Sequence, residues 1–359
     1  MFRFSILIVI FVNGILAIPP RQKFTVAPFY NVKGTMIQLI GLGTPTQPTT
    51  MELSVATPDF FVIPANCKTP GCTKNRKGYD TAKSTTFNEP NPMKPFATQH
   101  MGSKSTGHLA TDALTALAIP GKAPPMIPLP LIDAPKGALT NGYATGLMGW
   151  GFLPKKSKLP GTFLQGMLKN LDALVFEVYL QSYKHTRKND IQTYGNITYG
   201  NKDTDHCNDA HFYVKTDNPR AWEIKMDYAR IGSTKIRGGR ALFYPGSPRV
   251  HAPMNVVKAI RKRIRAKYDD NLEEYYVNCK VKKQLPKLRL IFHKRIFTFY
   301  PREYLVQSQG SNKCLLMISG PSKRYKGADW IIGDPMLREH CWLFDFEKKR
   351  IGFTKHIKN

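Results

Sequence analysis

Carboxylates are scarce in this sequence. Twenty-five Asp and Glu stand against 53 Lys and Arg in 359 residues, a formal net charge of +28. Between Asp227 and Asp269 there is no acid at all, while residues 228–268 carry eleven Lys and Arg. Segments long enough to cross a bilayer are missing too. The apolar stretch Ile6 to Val12 is too short to span. With Met1-Phe2-Arg3-Phe4 before it and Gly14-Ile15-Leu16-Ala17 after it, it has the cation, apolar centre and small terminal residue of a secretory signal peptide, residues 1–17. A secreted protein with no transmembrane segment is therefore expected, a lysosome-like compartment being the alternative. No Gly-x-Ser-x-Gly elbow exists, which removes the nucleophile of a serine hydrolase. Gly41-Leu42-Gly43 lacks the third glycine and following helix of a dinucleotide loop, so no cofactor is expected. A hydrophobic share of 42% excludes a disordered polycation, and the dispersal of charge excludes a histone-like tail.

Cysteine is limited to six residues, which an oxidising compartment would pair. Cys67 and Cys72 enclose a tight loop containing Pro70-Gly71, and no second pair of ligands nearby has zinc spacing. Cys279 and Cys314 bracket alternating segments, and Cys207 and Cys341 remain; six cysteines allow fifteen pairings. His206, Cys207 and His211 form an imaginable metal set, but a disulfide-bonded Cys207 beside two surface histidines is the safer reading, and no metal is expected. Asn196-Ile197-Thr198 is a glycosylation acceptor if its loop is exposed.

Short runs rich in Val, Ile, Phe, Tyr and Thr recur between Gly, Pro and Asn turns. Thr35 to Ile40, Glu52 to Val55, Phe60 to Ile63, Leu174 to Leu180, Ala241 to Phe243, Leu288 to Phe292 and Trp342 to Phe346 read as strands of a mostly β protein. One long helix is expected over Pro253 to Tyr268, with Val257, Ile260, Ile264 and Tyr268 on one face and Lys258, Arg261, Lys262 and Arg265 on the other. A shorter helix is expected at Phe163 to Lys169, and the polar segment 182–190 suits a lobe boundary. Ser54-Val55-Ala56-Thr57-Pro58 has an echo in Phe243-Tyr244-Pro245-Gly246-Ser247, about 190 residues later, which suggests two related lobes.

Several stretches, in order, resemble the pepsin-like (A1) aspartic peptidases. Gly43-Thr44-Pro45-Thr46-Gln47 is similar to the turn before their first active-site strand. Phe61-Val62-Ile63-Pro64 with Cys67 and Cys72 resembles the segment after the first catalytic loop, and Ser103 to Asp112 the flap hairpin and the strand after it. Thr145 to Gly151, Phe176 to Leu180, Trp330 to Asp334, and Phe344-Asp345 with Ile351-Gly352-Phe353 resemble further elements of the family. His206-Cys207 with Cys341 looks like the nematode-type members. The resemblance implies an all-β, bilobed fold with a central cleft and flap. It places an N-terminal lobe at 18–190 and a C-terminal lobe at 191–359, with pairings Cys67–Cys72, Cys279–Cys314 and Cys207–Cys341.

The family's reaction uses two carboxylates that share one proton and one water, each from an Asp-Thr-Gly turn. Counting back from Pro64 puts the first turn on Val55-Ala56-Thr57; counting from Ala241-Leu242-Phe243 puts the second on Tyr244-Pro245-Gly246. Val55 holds no proton, and a tyrosine hydroxyl, with an ordinary pKa near 10, is no base at the pH of a carboxylate dyad. Asp59 lies four residues past the required position, where a turn-stabilising role after Pro58 is expected. The threonines that cross-link the loops fall on Ala56 and Pro245, the flap tyrosine on His100 and its tryptophan partner on Val62. Only about ten residues separate the expected cleavage from Pro28, so no inhibitory prosegment is expected.

The sequence thus points to a catalytically inactive, secreted and glycosylated aspartic peptidase homologue. Its expected partner is a peptide or protein in the cleft, or an acidic glycan or anionic surface held by Lys258, Arg261, Lys262 and Arg265. An active endopeptidase and a structural or storage protein are the alternatives. Nucleic acid is not expected in a secreted chain without a binding module, and a monomer is.

Overall fold

The computed structural model describes residues 24–26, 28–30, 36–72, 77–100, 103–115, 124–137, 144–152, 171–181, 195–218, 221–308, 310–322 and 327–357. The signal peptide, the helix expected at 163–169 and the boundary expected at 182–190 lie outside the described residues. The expected strands form at Met36–Leu42, Gln47–Ser54, Phe60–Val62, Val175–Leu180, Thr234–Phe243, Leu288–Phe292 and His340–Asp345. Along Gln47–Ser54 the alternation is physical: Thr49, Met51 and Leu53 point into the core while Pro48, Thr50 and Glu52 between them are at least partly exposed, and the strand ends on buried Ser54.

The body is all-β and bilobed. An eight-stranded sheet takes strands between Phe29 and Gly149, and a seven-stranded sheet takes strands between Glu223 and Ile332. A six-stranded sheet beneath them collects Phe24–Val26, Val175–Leu180, Gly195–Tyr199, Phe212–Lys215, His340–Asp345 and Arg350–Lys355. The sequence echo has a counterpart in topology. In the first lobe Gln47–Ser54 runs parallel to Gly146–Gly149, and in the second Thr234–Phe243 runs parallel to Trp330–Ile332.

The lobes share one apolar core. Trp150 packs edge-on to Phe176 at 3.9 Å, Phe176 stacks on Phe344 at 4.5 Å, and Trp222 Nε1 donates to the Trp150 carbonyl at 2.7 Å. Each such ring buried is worth about 1.5–3 kcal/mol, and its sequence-distant partners tie the two halves together. Disulfides join Cys67–Cys72, Cys207–Cys341 and Cys279–Cys314. Among the described residues no helix is long and apolar enough to cross a membrane.

Two expectations need correction. The helix spans Met254–Ile264 rather than reaching Tyr268: Arg265 turns left-handed at φ 54°, and Lys267–Asp269 leaves to pair with Glu274–Asn278. Val256, Val257, Ile260 and Ile264 form its buried face, whereas Tyr268 is 48% exposed. Asn196 lies on the strand Gly195–Tyr199 and not on a loop; it is half-buried, with its Nδ2 3.3 Å from the His206 ring.

Candidate functional site

Two loops meet where the lobes face each other, and each is positioned in the same way. The first leaves Gln47–Ser54 at Ser54. It is held by Trp150 N donating to the Ser54 carbonyl at 2.7 Å, Gly151 N to the Thr57 carbonyl at 2.9 Å and Gly149 N to the Asp59 carbonyl at 2.8 Å. Gly149 is required by this approach, since a Cβ there would collide with the Thr57 and Asp59 carbonyl oxygens. The second loop leaves Thr234–Phe243 at Tyr244, whose N donates to the Ile332 carbonyl at 2.8 Å. Gly246 adopts φ 94°, and its N donates to Asp334 Oδ1 at 2.7 Å, while Asp334 N returns a bond to the Ser247 carbonyl at 2.8 Å.

Of the positions that the resemblance sets as catalytic, Tyr244 reaches across the lobes, but its partner is Ser54 and not Val55. Gly149 meets the Thr57 and Asp59 carbonyls as Gly333 meets those of Ser247 and Arg249, which puts Ser54 where Tyr244 stands in the second loop. Val55 is fully buried and apolar. Tyr244 is 2% exposed, and its hydroxyl lies 3.1 Å from Ser54 Oγ, a contact between residues 190 apart in sequence. Where the two loops meet, a phenol is bonded to a serine, and that contact contains no carboxylate. Ala56 is exposed and Pro245 buried; neither has a hydroxyl to link the loops. Val62 is buried in the strand Phe60–Val62.

The two nearby acids have structural work. Asp59 accepts a hydrogen bond from Thr98 Oγ1 on the strand Pro95–His100, and its own N donates to Thr57 Oγ1 at 3.2 Å. It thereby clamps the flap hairpin, Pro95–His100 paired with Ser103–His108, to the first loop. His100 is the last residue of its strand, paired with Ser103 across the turn. Asp334 is 1% exposed and organises the second loop from below.

The histidine and cysteine set does not converge on a metal. His206 Nδ1 lies 3.0 Å from Asp203 Oδ1, and its ring stacks on Tyr179 at 4.5 Å. The side chain of His211, expected at the surface, is instead fully buried: its Nε2 lies 2.6 Å from Glu177 Oε1, which is equally buried. Glu177 Oε2 also accepts from Asp203 N at 2.7 Å. Ligand atoms of Glu177, Cys207 and Cys341 lie within 4.8 Å of one another, but both sulfurs are spent in the disulfide. The signal that could have found this pair is Glu177 itself, a charge within an apolar strand, which demands a partner once it is buried.

Of the four cations expected to form a polyanion site, Lys258, Lys262 and Arg265 are exposed. Arg261 is half-buried, with its guanidinium 3.4 Å over the Tyr275 ring. A second charged centre was not anticipated. Arg302 bridges Glu303 and Glu339, with its Nε 2.5 Å from Glu303 Oε1. Burial, with Glu339 alongside, pushes the Glu303 carboxyl up to about 9, so the two carboxyls hold one proton between them and Arg302 neutralises the remaining charge.

The model of the eukaryotic aspartyl protease family matches residues 36–356. The chain is 28% identical over 329 residues to Aspartic protease 1 of Caenorhabditis elegans, covering 89% of this chain and 81% of that protein. It is 27% identical over 331 residues to Aspartic protease 17 of the same organism, covering 87% and 81%, and 26% identical over 338 residues to Cathepsin D of Chionodraco hamatus, covering 88% and 80%. With paired loops, flap hairpin and shared base sheet all in place beneath a match of this length, the chain belongs to the eukaryotic aspartyl protease family.

Proposed function

We propose that this protein is a secreted, non-cleaving member of its family that captures extended peptide segments in the cleft beneath the flap. The observation that carries this reading is the meeting of the two loops through Tyr244, whose hydroxyl lies 3.1 Å from Ser54 Oγ, with buried Val55 next to Ser54 and no carboxylate in that contact. General-base activation of a water needs a group that is ionised at the working pH, and none of these side chains supplies one. Loss of the dyad does not remove the strand-recognition surface, since backbone pairing with an extended peptide depends on the flap and cleft edges. The stretch at 1–17 and the three disulfides favour an oxidising, extracytoplasmic setting.

The test is incubation of the purified protein with an internally quenched peptide library between pH 2.5 and 6, with and without pepstatin, alongside fluorescence-anisotropy binding of the same peptides. Peptide binding without turnover is the expected result. Pepstatin-sensitive cleavage by the unmodified chain would sink the proposal.

A further inference from the structure

A row of cations without ion pairs lies on a sheet face, next to the helix. In the seven-stranded sheet, Lys235 stands directly opposite Arg230, and Arg230 stands directly opposite Arg289, on three adjacent strands. The row continues to Thr298 on the fourth strand. Two pairs along, on the same face, Arg237 stands opposite Tyr228, and Lys235 Nζ lies 4.4 Å over the Tyr228 ring. Lys235, Arg230 and Arg237 are exposed and Arg289 is half-buried. At the hairpin turn Gly232 has φ 58°, and a Cβ there would lie 3.0 Å from Arg263 Nε, so the last turn of the helix Met254–Ile264 adds a fifth cation.

This arrangement is costly on its own. Like charges directly opposite in a sheet repel, and adjacent strands hold them about 4.8 Å apart. Four cations elsewhere are met by acids: Arg249 by Glu274, Lys313 by Asp269, Arg350 by Asp345 and Arg302 by two glutamates. Among the described residues, none of Arg230, Lys235, Arg237, Arg263 and Arg289 has a carboxylate within ion-pair distance.

We propose that this face binds a sulfated polysaccharide, laid across the row from Lys235 through Arg230 to Arg289. Basic residues rooted about 4.8 Å apart across the strands and about 7 Å apart along one strand, each on a long side chain, suit a chain carrying anions at regular intervals. Guanidinium groups hold sulfate-like oxyanions through paired N–H donors, and the gain comes from charge neutralisation with release of counterions. A membrane surface fits less well, because Ile296, at 61% exposure, is the one exposed large apolar side chain among the described residues of these four strands. Nucleic acid fits less well again, because the one aromatic ring on the row is already covered by Lys235.

The experiment measures binding of the full chain to a heparin dodecasaccharide by calorimetry at several NaCl concentrations. The variants are Arg230→Gln/Lys235→Gln/Arg289→Gln on the sheet, Lys258→Gln/Lys262→Gln/Arg265→Gln on the helix, and Lys94→Gln/Lys104→Gln/Lys348→Gln as an equal-charge control. The sheet triple is expected to weaken binding at least tenfold near physiological salt and to flatten the salt dependence, while the control stays within about twofold. Each single substitution of the sheet row, Arg289→Gln first, is expected to cost about threefold, so a poorly folded triple leaves the proposal testable. Equal losses in all three triples would reduce the effect to net charge and overturn the assignment, as would a larger loss from the helix triple. Tighter binding to phosphatidylserine vesicles, to an oligonucleotide or to unsulfated hyaluronan than to heparin would also overturn it.

Discussion

Acidification from pH 7 to 4.5 should destabilise this fold through His340 and His356. Burial pushes both rings down to about 4, and Glu339 opposes it only in part. His356 and Lys355 add to the depression of His340, and His206 adds to that of His356 against backbone hydrogen bonds with Leu337 and His340. The surroundings explain the direction: the His340 ring lies 5.6 Å from Phe297 and the His356 ring 4.7 Å from Tyr179, while His340 Nδ1 and His356 Nε2 are buried without a hydrogen-bond partner. In the unfolded chain a histidine titrates near 6.5, so protonation at mild acidity favours unfolding. The contribution is therefore complete above about 6.5 and is lost as the pH falls towards 4. A depression of this size is worth about 3 kcal/mol for a fully enclosed ring. Partial exposure halves it, giving about 3 kcal/mol for the two rings together, against a total stability on the order of 5–15 kcal/mol.

Glu303 acts in the opposite sense. Its carboxyl stays protonated up to about 9, so its contribution is complete below the ordinary carboxylate range and is lost as the pH rises towards 9. The clean measurement is therefore a comparison of His340→Phe/His356→Phe with the parent chain, in urea unfolding at pH 7 and pH 4.5 followed by circular dichroism. The variant should lose about 3 kcal/mol less than the parent on acidification. Parallel losses would show that the two rings do not carry the buried protonation cost, and the reasoning would fail.

The disulfides should contribute unequally. Cys207–Cys341 closes a separation of 134 residues and Cys67–Cys72 one of 5, so in the chain-entropy picture serine replacement should cost about 5 and about 2 kcal/mol, read as separate drops in unfolding midpoint. A larger loss from the short loop would refute that ranking. Arg302→Met should cost about 3–5 kcal/mol at pH 7, because it leaves Glu303 and Glu339 without their cation, and the loss should shrink at pH 4, where both carboxyls can be neutral. A loss of equal size at both pH values would mean that Arg302 acts by packing alone.

Much of the fold was legible because its determinants are local. Thr49, Met51 and Leu53 alternate at the period of a strand, and the motif order from Gly43 to Phe353 follows one family throughout. The helix end was misread because apolar spacing continues through Tyr268 after the hydrogen-bond ladder has stopped at Arg265; the strand Glu274–Asn278 competes for Lys267–Asp269, and periodicity within one segment carries no information about that partner. Arg261 was read as part of a solvated charged face for the same reason, since Tyr275 covers it from another element. His211 looked like a surface residue because its partner Glu177 lies 34 positions away on a different strand.

The sequence by itself determined the family, the shortage of carboxylates and the presence of Val55 and Tyr244 where the resemblance expects a dyad, all of which are properties of residue identity and order. Tertiary structure decided what those residues do. It placed the Tyr244 hydroxyl on Ser54 across the lobes, hid Glu177 against His211, and set Lys235, Arg230 and Arg289 side by side. Charge density along the chain pointed to the helix, but strand register alone brings together three cations from residues 230, 235 and 289, because opposition across a sheet depends on pairing and not on nearness in sequence.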